Sequence, residues 1–327
     1  MPRIAILDDW QGIAEAAADW APIRARAEIV FFRDHLGTPA QTAAALQGFD
    51  AIVAMRERTR LHADVLTRLP DLKLLSFTGA RNAAVDTAAC TAQGIVVCNT
   101  ATTRTSHGTA ELTLGLILAA QRRIAQGDAE MRAGRFQSLV PPGPEMAGAT
   151  LGLVGLGNIG ARVARYALAM DMKVIAWSQN LTEARAASVG ATRVEKPALF
   201  AQADVVSIHL VLSERTRHIV AAPEIAAMKP GALLVNTSRG PHIDSAALLP
   251  ALEQGRIRAA LDVYDQEPLP PEHPIRHAPG TLLTPHLGYV TAENMPELYR
   301  SSAENLRAWL DGKPVRVINP EVLQPQA

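Results

Sequence analysis

Thr150-Leu151-Gly152-Leu153-Val154-Gly155-Leu156-Gly157-Asn158-Ile159-Gly160 runs from an apolar strand-like stretch into three glycines spaced G-x-G-x-x-G and then into a helical pattern. Strand, glycine turn and helix in that order form the fingerprint of a dinucleotide-binding site. Gly155 permits the tight turn, Gly157 lets backbone approach a pyrophosphate, and Gly160 lets the helix pack close to its strand. The start of that helix, at Asn158 and Ile159, offers unpaired N–H groups and the positive end of the helix dipole to phosphates. The same spacing also occurs in ordinary turns, so the rest of the chain has to supply the context.

On either side the chain alternates short β-type runs with helical segments. Before position 100 the strands are expected at Ile4–Leu7, Glu28–Phe32, Asp50–Ala54, Leu72–Ser76 and Ile95–Val97. After the fingerprint they are expected at Leu151–Val154, Lys173–Trp177, Asp204–Ile208, Ala232–Asn236, Ala259–Asp262 and Thr281–Thr284. Alternation of this kind predicts parallel βαβ units, and therefore two doubly wound α/β domains. Between the two series lies one long helical pattern, His107–Gln126, apolar on nearly every face and so expected to be buried, either in the chain's own core or against a second subunit. Val140-Pro141-Pro142-Gly143-Pro144 breaks the pattern before the fingerprint strand. A last helix is expected over Glu293–Leu310.

The 327 residues carry 32 basic and 32 acidic side chains and are 48% hydrophobic. This balance gives no electrostatic footprint for nucleic acid or an anionic membrane, and no stretch is apolar enough to span a bilayer. A small-molecule partner is favoured. Cys90 and Cys98 are the only cysteines; they stand in no metal-ligand spacing, so no metal site is predicted and buried thiols in a reducing cytoplasm are expected.

Three segments after predicted strands carry chemistry. Ligands of open α/β sheets bind at the carboxyl ends of strands. Asn236-Thr237-Ser238-Arg239-Gly240 places a guanidinium there, whose planar fork matches a carboxylate. Arg239 reads equally as a surface arginine closing a turn. Asp262-Val263-Tyr264-Asp265-Gln266-Glu267-Pro268 and Thr284-Pro285-His286-Leu287-Gly288 follow the next two strands, so Glu267 and His286 can converge on the same edge. A histidine beside a carboxylate is a suitable acid/base, because the carboxylate orients the ring and stabilises its protonated form. Taken singly, Glu267 reads first as an ordinary loop carboxylate and His286 equally as a packed or a catalytic histidine; taken together with Arg239, the three read as a site.

The four segments in this order resemble the D-isomer-specific 2-hydroxyacid dehydrogenase family along nearly the whole chain. The resemblance implies a Rossmann dinucleotide-binding domain over residues 101–289 and a flavodoxin-like substrate domain from 1–100 plus 290–327, with an interdomain cleft. It implies that Arg239 binds and polarises the substrate, that His286 is the proton donor and acceptor, and that Glu267 is its partner. Asp262 would meet the nicotinamide carboxamide, with Thr237, Ser238, Gly288 and Thr109 close to the cofactor. His209, in Val206-Ser207-Ile208-His209-Leu210, and Thr216 would line the cofactor as well. On the substrate side, Ser76-Phe77-Thr78-Gly79-Ala80-Arg81 resembles the loop whose backbone N–H groups at Gly79 and Ala80 take the substrate carboxylate, while Arg56 would reach the distal end of the acid. Asn82 and Asp86 read as turn and cap residues. The family's dimers, built through the long helix, imply a homodimer.

One departure bears on the cofactor. After Val174-Ile175-Ala176-Trp177, where NAD-preferring members commonly carry an acidic residue, this chain has Ser178 and Gln179. Absence of a carboxylate removes the barrier to a 2′-phosphate, yet no arginine stands beside Ser178 and Arg185 lies a turn or two further on, so NAD and NADP both stay open. The expected activity is hydride transfer between a nicotinamide cofactor and a small 2-keto or D-2-hydroxy acid of the glyoxylate or hydroxypyruvate type. Phosphoglycerate dehydrogenase is the alternative within enzymes, and a nucleotide-sensing corepressor-like binding protein is the alternative outside them.

Overall fold

The computed structural model describes residues 1–100 and 105–324, which divide into two compact units. The first takes in the chain up to residue 100 and returns from residue 292 onward. Its strands are β1 (Arg3–Ile6), β2 (Glu28–Phe31), β3 (Ala51–Ala54), β4 (Leu74–Phe77) and β5 (Val96–Cys98), all parallel in the order β2-β1-β3-β4-β5. This is the flavodoxin-like order. Ala51–Ala54 and Leu74–Phe77 are buried at every position, as strands covered by helices on both faces must be.

The returning C-terminal segment is fastened to this sheet by two asparagines. Asn305, on the helix Asn294–Leu310, donates to Ser76 Oγ and to the Asn99 carbonyl, both at 2.9 Å. Asn319 accepts from the Val97 N–H at 2.8 Å and donates to the Ile95 carbonyl at 2.9 Å, acting as a side-chain continuation of the β5 edge. Cys90 and Cys98 are buried free thiols, and burial pushes their pKa up to about 12 and about 11, so neither is a ready nucleophile.

The second unit, 105–291, holds β6 (Thr150–Val154), β7 (Lys173–Trp177), β8 (Thr192–Arg193), β9 (Val205–Ile208), β10 (Leu233–Asn236), β11 (Arg258–Leu261) and β12 (Thr281–Leu283). All are parallel, in the order β12-β11-β10-β9-β6-β7-β8. The sheet reverses direction of growth at β6/β9, next to the glycine turn, which is the crevice where such sheets bind ligands. The sheet has seven strands where the sequence reading expected six. The extra one, β8, is a two-residue edge strand, too short to leave a periodicity.

The long helical pattern is two helices, not one. Thr105–Gln121 ends, Arg123 takes a left-handed conformation with φ +53°, and Ile124–Arg132 resumes. The break is set by tertiary contacts. Arg258 donates to the Ala120 carbonyl at 3.2 Å and to the Gln121 side chain, and Gly143 crosses so near Gln121 that a Cβ there would meet its carbonyl oxygen at 1.9 Å. One face of the first helix, with Ala110, Leu116 and Ile117, packs in the unit's own core against Val163, Ala164 and Ala167 of the fingerprint helix Asn158–Leu168. Leu112, Leu114 and Leu118 on other faces are half-buried.

Candidate active site

Gly155 has φ +104°, and a Cβ on it would lie 2.4 Å from the His209 carbonyl oxygen, while one on Gly160 would lie 2.3 Å from the Gly155 carbonyl oxygen. Only glycine allows the turn and the close helix packing. Gly157 is different, because a Cβ there would meet nothing within 4 Å. It is the N-cap of Asn158–Leu168, and no side chain caps the helix. Open backbone in front of uncapped N–H groups fits the pyrophosphate of a dinucleotide. Asn158 and Ile159 open the same helix, and Ile159 also packs against the core.

The other residues expected at the cofactor lie in the same unit. Ser178, half-buried, and Gln179, exposed, follow β7. His209 follows β9, its Nε2 2.9 Å from Ser207 Oγ, and desolvation pushes the ring down to about 3, so it is a neutral hydrogen-bonding group. Thr216 sits in the next loop with its hydroxyl committed to that loop: it donates to the Val211 carbonyl and accepts from the Ser213 N–H, both at 2.8 Å. Ser238 Oγ donates to the Leu210 carbonyl. Thr237 is buried, with its hydroxyl 2.8 Å from that of Thr113, and Thr113 in turn donates to the Thr109 carbonyl at 2.7 Å. Thr109 Oγ1 donates to the Gly288 carbonyl at 3.0 Å. These threonines tie the first helix to the ends of β10 and β12.

The two residues expected to act as acid and base are in contact. His286 Nδ1 lies 2.6 Å from Glu267 Oε2, and the other carboxylate oxygen accepts from the Tyr264 N–H at 2.9 Å. Both side chains are mostly buried, 16% and 19% exposed, enough shielding for the pair to act on each other without losing access. His286 has φ +54°, uncommon for a residue with a side chain, and Asp262 holds it there. Asp262 is fully buried; its carboxylate accepts from Thr284 Oγ1 at 2.6 Å, from Leu287 N at 2.7 Å and from Gly288 N at 2.9 Å, while its carbonyl accepts from His286 N at 2.8 Å. Burial raises this carboxyl above the ordinary carboxylate range, against the lowering effect of those donors. Three of about four acceptor directions of a carboxylate are thereby filled from within the protein. Asp262 thus works first as the clamp of the histidine loop.

Arg239 leaves the end of β10 on the same sheet edge. Its Nη1 donates to the Ser238 carbonyl at 2.7 Å and its own carbonyl accepts from Asn236 Nδ2 at 2.8 Å. Gly240 brings this loop against the Glu267 loop: a Cβ on Gly240 would fall 2.0 Å from the Tyr264 carbonyl carbon. Sequence reasoning did not single out Tyr264, whose hydroxyl donates to the Thr284 carbonyl at 2.9 Å and so joins the Glu267 and His286 loops. Nor did it single out Tyr289, edge-on to the His286 ring at 5.5 Å. Both aromatics stand inside or beside the quoted motifs, which is the one signal available.

The residues expected on the substrate side lie in the first unit, after β3 and β4. The Arg56 guanidinium lies over Gly79. The Arg56 N–H is held by Thr78 Oγ1 at 2.8 Å, and the Gly79 N–H donates to Thr100 Oγ1 at 2.8 Å. Gly79 is therefore buried and committed, whereas Ala80 is exposed and its N–H has no protein partner among the described residues; of the two expected backbone donors, Ala80 is the one turned outward. Asn82 bonds the Arg56 carbonyl and the Ala84 N–H, and Asp86 caps the helix Thr87–Ala92 through the Ala89 N–H.

A sequence profile of the D-isomer specific 2-hydroxyacid dehydrogenase NAD binding domain matches residues 114–288. The chain belongs to the D-isomer specific 2-hydroxyacid dehydrogenase family. This dehydrogenase is 37% identical to glyoxylate reductase of Aeropyrum pernix over 81% of its own length and 82% of the relative's. It is 38% identical to D-3-phosphoglycerate dehydrogenase of Mycobacterium leprae over 83% of its own length, and that match spans 51% of the relative. Among solved structures, phosphoglycerate oxidoreductase from Vibrio cholerae o395 superposes with TM-score 0.90 at 33% identity, covering 95% of this chain and 100% of that one. The dehydrogenase is an NAD(P)-dependent oxidoreductase of D-2-hydroxy and 2-keto acids, and no helix among its described residues is long and apolar enough to cross a membrane.

Proposed function

We propose that the chain reduces a small, unphosphorylated 2-keto acid of the glyoxylate or hydroxypyruvate class, with His286 as proton donor. The observation that carries the reading is the 2.6 Å contact of His286 Nδ1 with Glu267, on the same sheet edge as Arg239. That contact fixes the ring by one nitrogen and leaves Nε2 to exchange a proton with the substrate oxygen. NAD(P)H supplies the hydride when bound. Arg239 grips the carboxylate and draws electron density from the adjacent carbonyl; His286 delivers the proton to the carbonyl oxygen; Glu267 stabilises the imidazolium before transfer. In the oxidising direction His286 starts neutral and accepts the hydroxyl proton.

In the same reading, residues 101–289 act as the dinucleotide-binding domain and 1–100 with 290–327 as the substrate domain, to which Ala80 contributes a backbone donor and Arg56 a distal contact. The enzyme acts in the cytoplasm. It is a homodimer: Ile124, Met131, Phe136 and Leu139, on and after the helix Ile124–Arg132, are all more than half exposed, a run of apolar surface suited to a second copy.

The similarity to phosphoglycerate-named proteins supports a second reading, in which the acid carries a phosphate. Against it stands Arg58, which is buried, donates to the Asp8 carbonyl at 2.8 Å and stacks 4.3 Å over the Trp10 ring, and so is held by the protein itself. Steady-state oxidation of NADH and NADPH with glyoxylate, hydroxypyruvate and 3-phosphohydroxypyruvate separates the two. Higher kcat/KM with glyoxylate or hydroxypyruvate is expected. A preference for the phosphorylated acid would replace this reading with the second, and tight nucleotide binding without turnover on any acid would favour a nucleotide-sensing role.

A further inference from the structure

The segment after β7 decides what the adenosine ribose meets. In Rossmann sites that select NAD, a carboxylate at the end of the second strand takes the ribose hydroxyls and repels a 2′-phosphate. Here that place holds Ser178, half-buried, followed by the exposed Gln179 and Asn180, and the first acidic residue is Glu183 on the next helix. The loop between is firmly built. Leu181 is buried, its N–H donates to the Ser178 carbonyl at 3.1 Å, and its own carbonyl accepts from Arg193 Nε at 2.9 Å.

From the short helix Glu183–Ala187 that follows, Arg185 turns back onto the glycine turn. Its Nη2 lies 3.4 Å from the carbonyl oxygen of Leu156, the residue between Gly155 and Gly157. From sequence alone Arg185 lies a turn or two beyond Ser178; the fold returns its guanidinium to the fingerprint. The Arg185 backbone is fixed on both sides, its N–H by Thr182 Oγ1 at 3.1 Å and its carbonyl by Ser188 Oγ at 2.8 Å. The guanidinium itself is held only by the long contact to Leu156, near the limit of a hydrogen bond, and forms no ion pair among the described residues, Glu183 included. Most of its donors remain for an anion arriving at that turn.

We propose that Arg185 and Ser178 form a 2′-phosphate site, so that this dehydrogenase selects NADP(H) over NAD(H). The guanidinium supplies a charged fork and the serine hydroxyl a neutral donor, and the missing carboxylate removes the repulsion that would exclude the phosphate. The inference rests on the dinucleotide site at the glycine turn and is independent of the roles given to His286 and Glu267.

The test is equilibrium binding of NADPH and NADH to the full-length protein by calorimetry, with no acid substrate present. NADPH should bind about tenfold or more tightly than NADH, the effect of one or two charge-assisted hydrogen bonds. Arg185→Ala should weaken NADPH by a similar factor and leave NADH within about twofold, and Ser178→Asp should reverse the preference. Tighter binding of NADH by the unaltered protein would overturn the proposal. So would an equal loss of both nucleotides in Arg185→Ala, which would make the arginine a prop of the glycine turn. Failure to bind either nucleotide would overturn the dinucleotide site itself.

Discussion

In the proposed mechanism His286 is a reacting group that depends on its neighbours for position. Replacing it with alanine removes the proton donor but leaves the glycine turn untouched. Turnover should fall by roughly 10²–10⁴, with nucleotide affinity retained, as measured by single-turnover reduction beside nucleotide titration. The other informative histidine is His242, two residues after Gly240. It is fully buried in the 3₁₀ turn Gly240–His242, and burial first, with the nearby Arg239 charge adding to it, pushes its pKa down from 6.5 to about 4. The unfolded chain therefore binds more protons between about pH 6.5 and about pH 4, and the stability present above that window is lost as pH falls through it. Each pH unit inside the window costs about 1.4 kcal/mol for such a group. Asp8 acts in the opposite sense, since burial raises its pKa to about 6 and its contribution is lost as pH rises through that value. The prediction is therefore a difference: in urea unfolding across this range, His242→Leu should show a shallower loss of stability on acidification than the unaltered protein. Identical slopes would contradict the burial argument.

At the scale of elements, the site is three strand-end loops pressed together, and Gly240 sets their spacing. With Tyr264 backbone 2.0 Å from where a Cβ would stand, Gly240→Ala has to push the Arg239 loop off the Glu267 loop, since neither side of that contact is a flexible side chain. Turnover should drop more than tenfold while NADPH or NADH still binds; wild-type kcat/KM in this variant would show that the loops have room to part. The motifs that name these loops were legible because strand ends, glycines and prolines leave strong local marks. N-x-S-R-G, D-V-Y-x-x-E-P and T-P-H-x-G each follow an apolar run. What the sequence left out was the contact between loops. Asp262 is expected near the nicotinamide from its motif, and nothing in that motif shows that its carboxylate also accepts from Thr284, Leu287 and Gly288. The break at Arg123 was hidden for the same reason, because Arg258 and Gly143, which create it, lie far along the chain. Helical periodicity reports faces and has no term for what meets a helix end.

For the whole molecule, alternation of strands and helices was sufficient to predict two parallel-sheet units, and the return of the C-terminal helix to the first unit follows from Asn305 and Asn319, which no periodicity announces. The exposed run Ile124, Met131, Phe136 and Leu139 belongs to this scale also. Light scattering behind size exclusion should give twice the 35.0 kDa chain mass, and Phe136→Asp should shift the population toward the single chain. A monomer at every concentration would exclude the dimer. The central claim, that one histidine donates the proton in reduction and accepts it in oxidation, is tested most directly by the pH dependence of kcat/KM in both directions on one acid pair. The account predicts opposite trends: reduction slowing and oxidation quickening as the pH rises, with both trends flattened in His286→Gln. Parallel profiles in the two directions, or trends that survive the substitution, would contradict it.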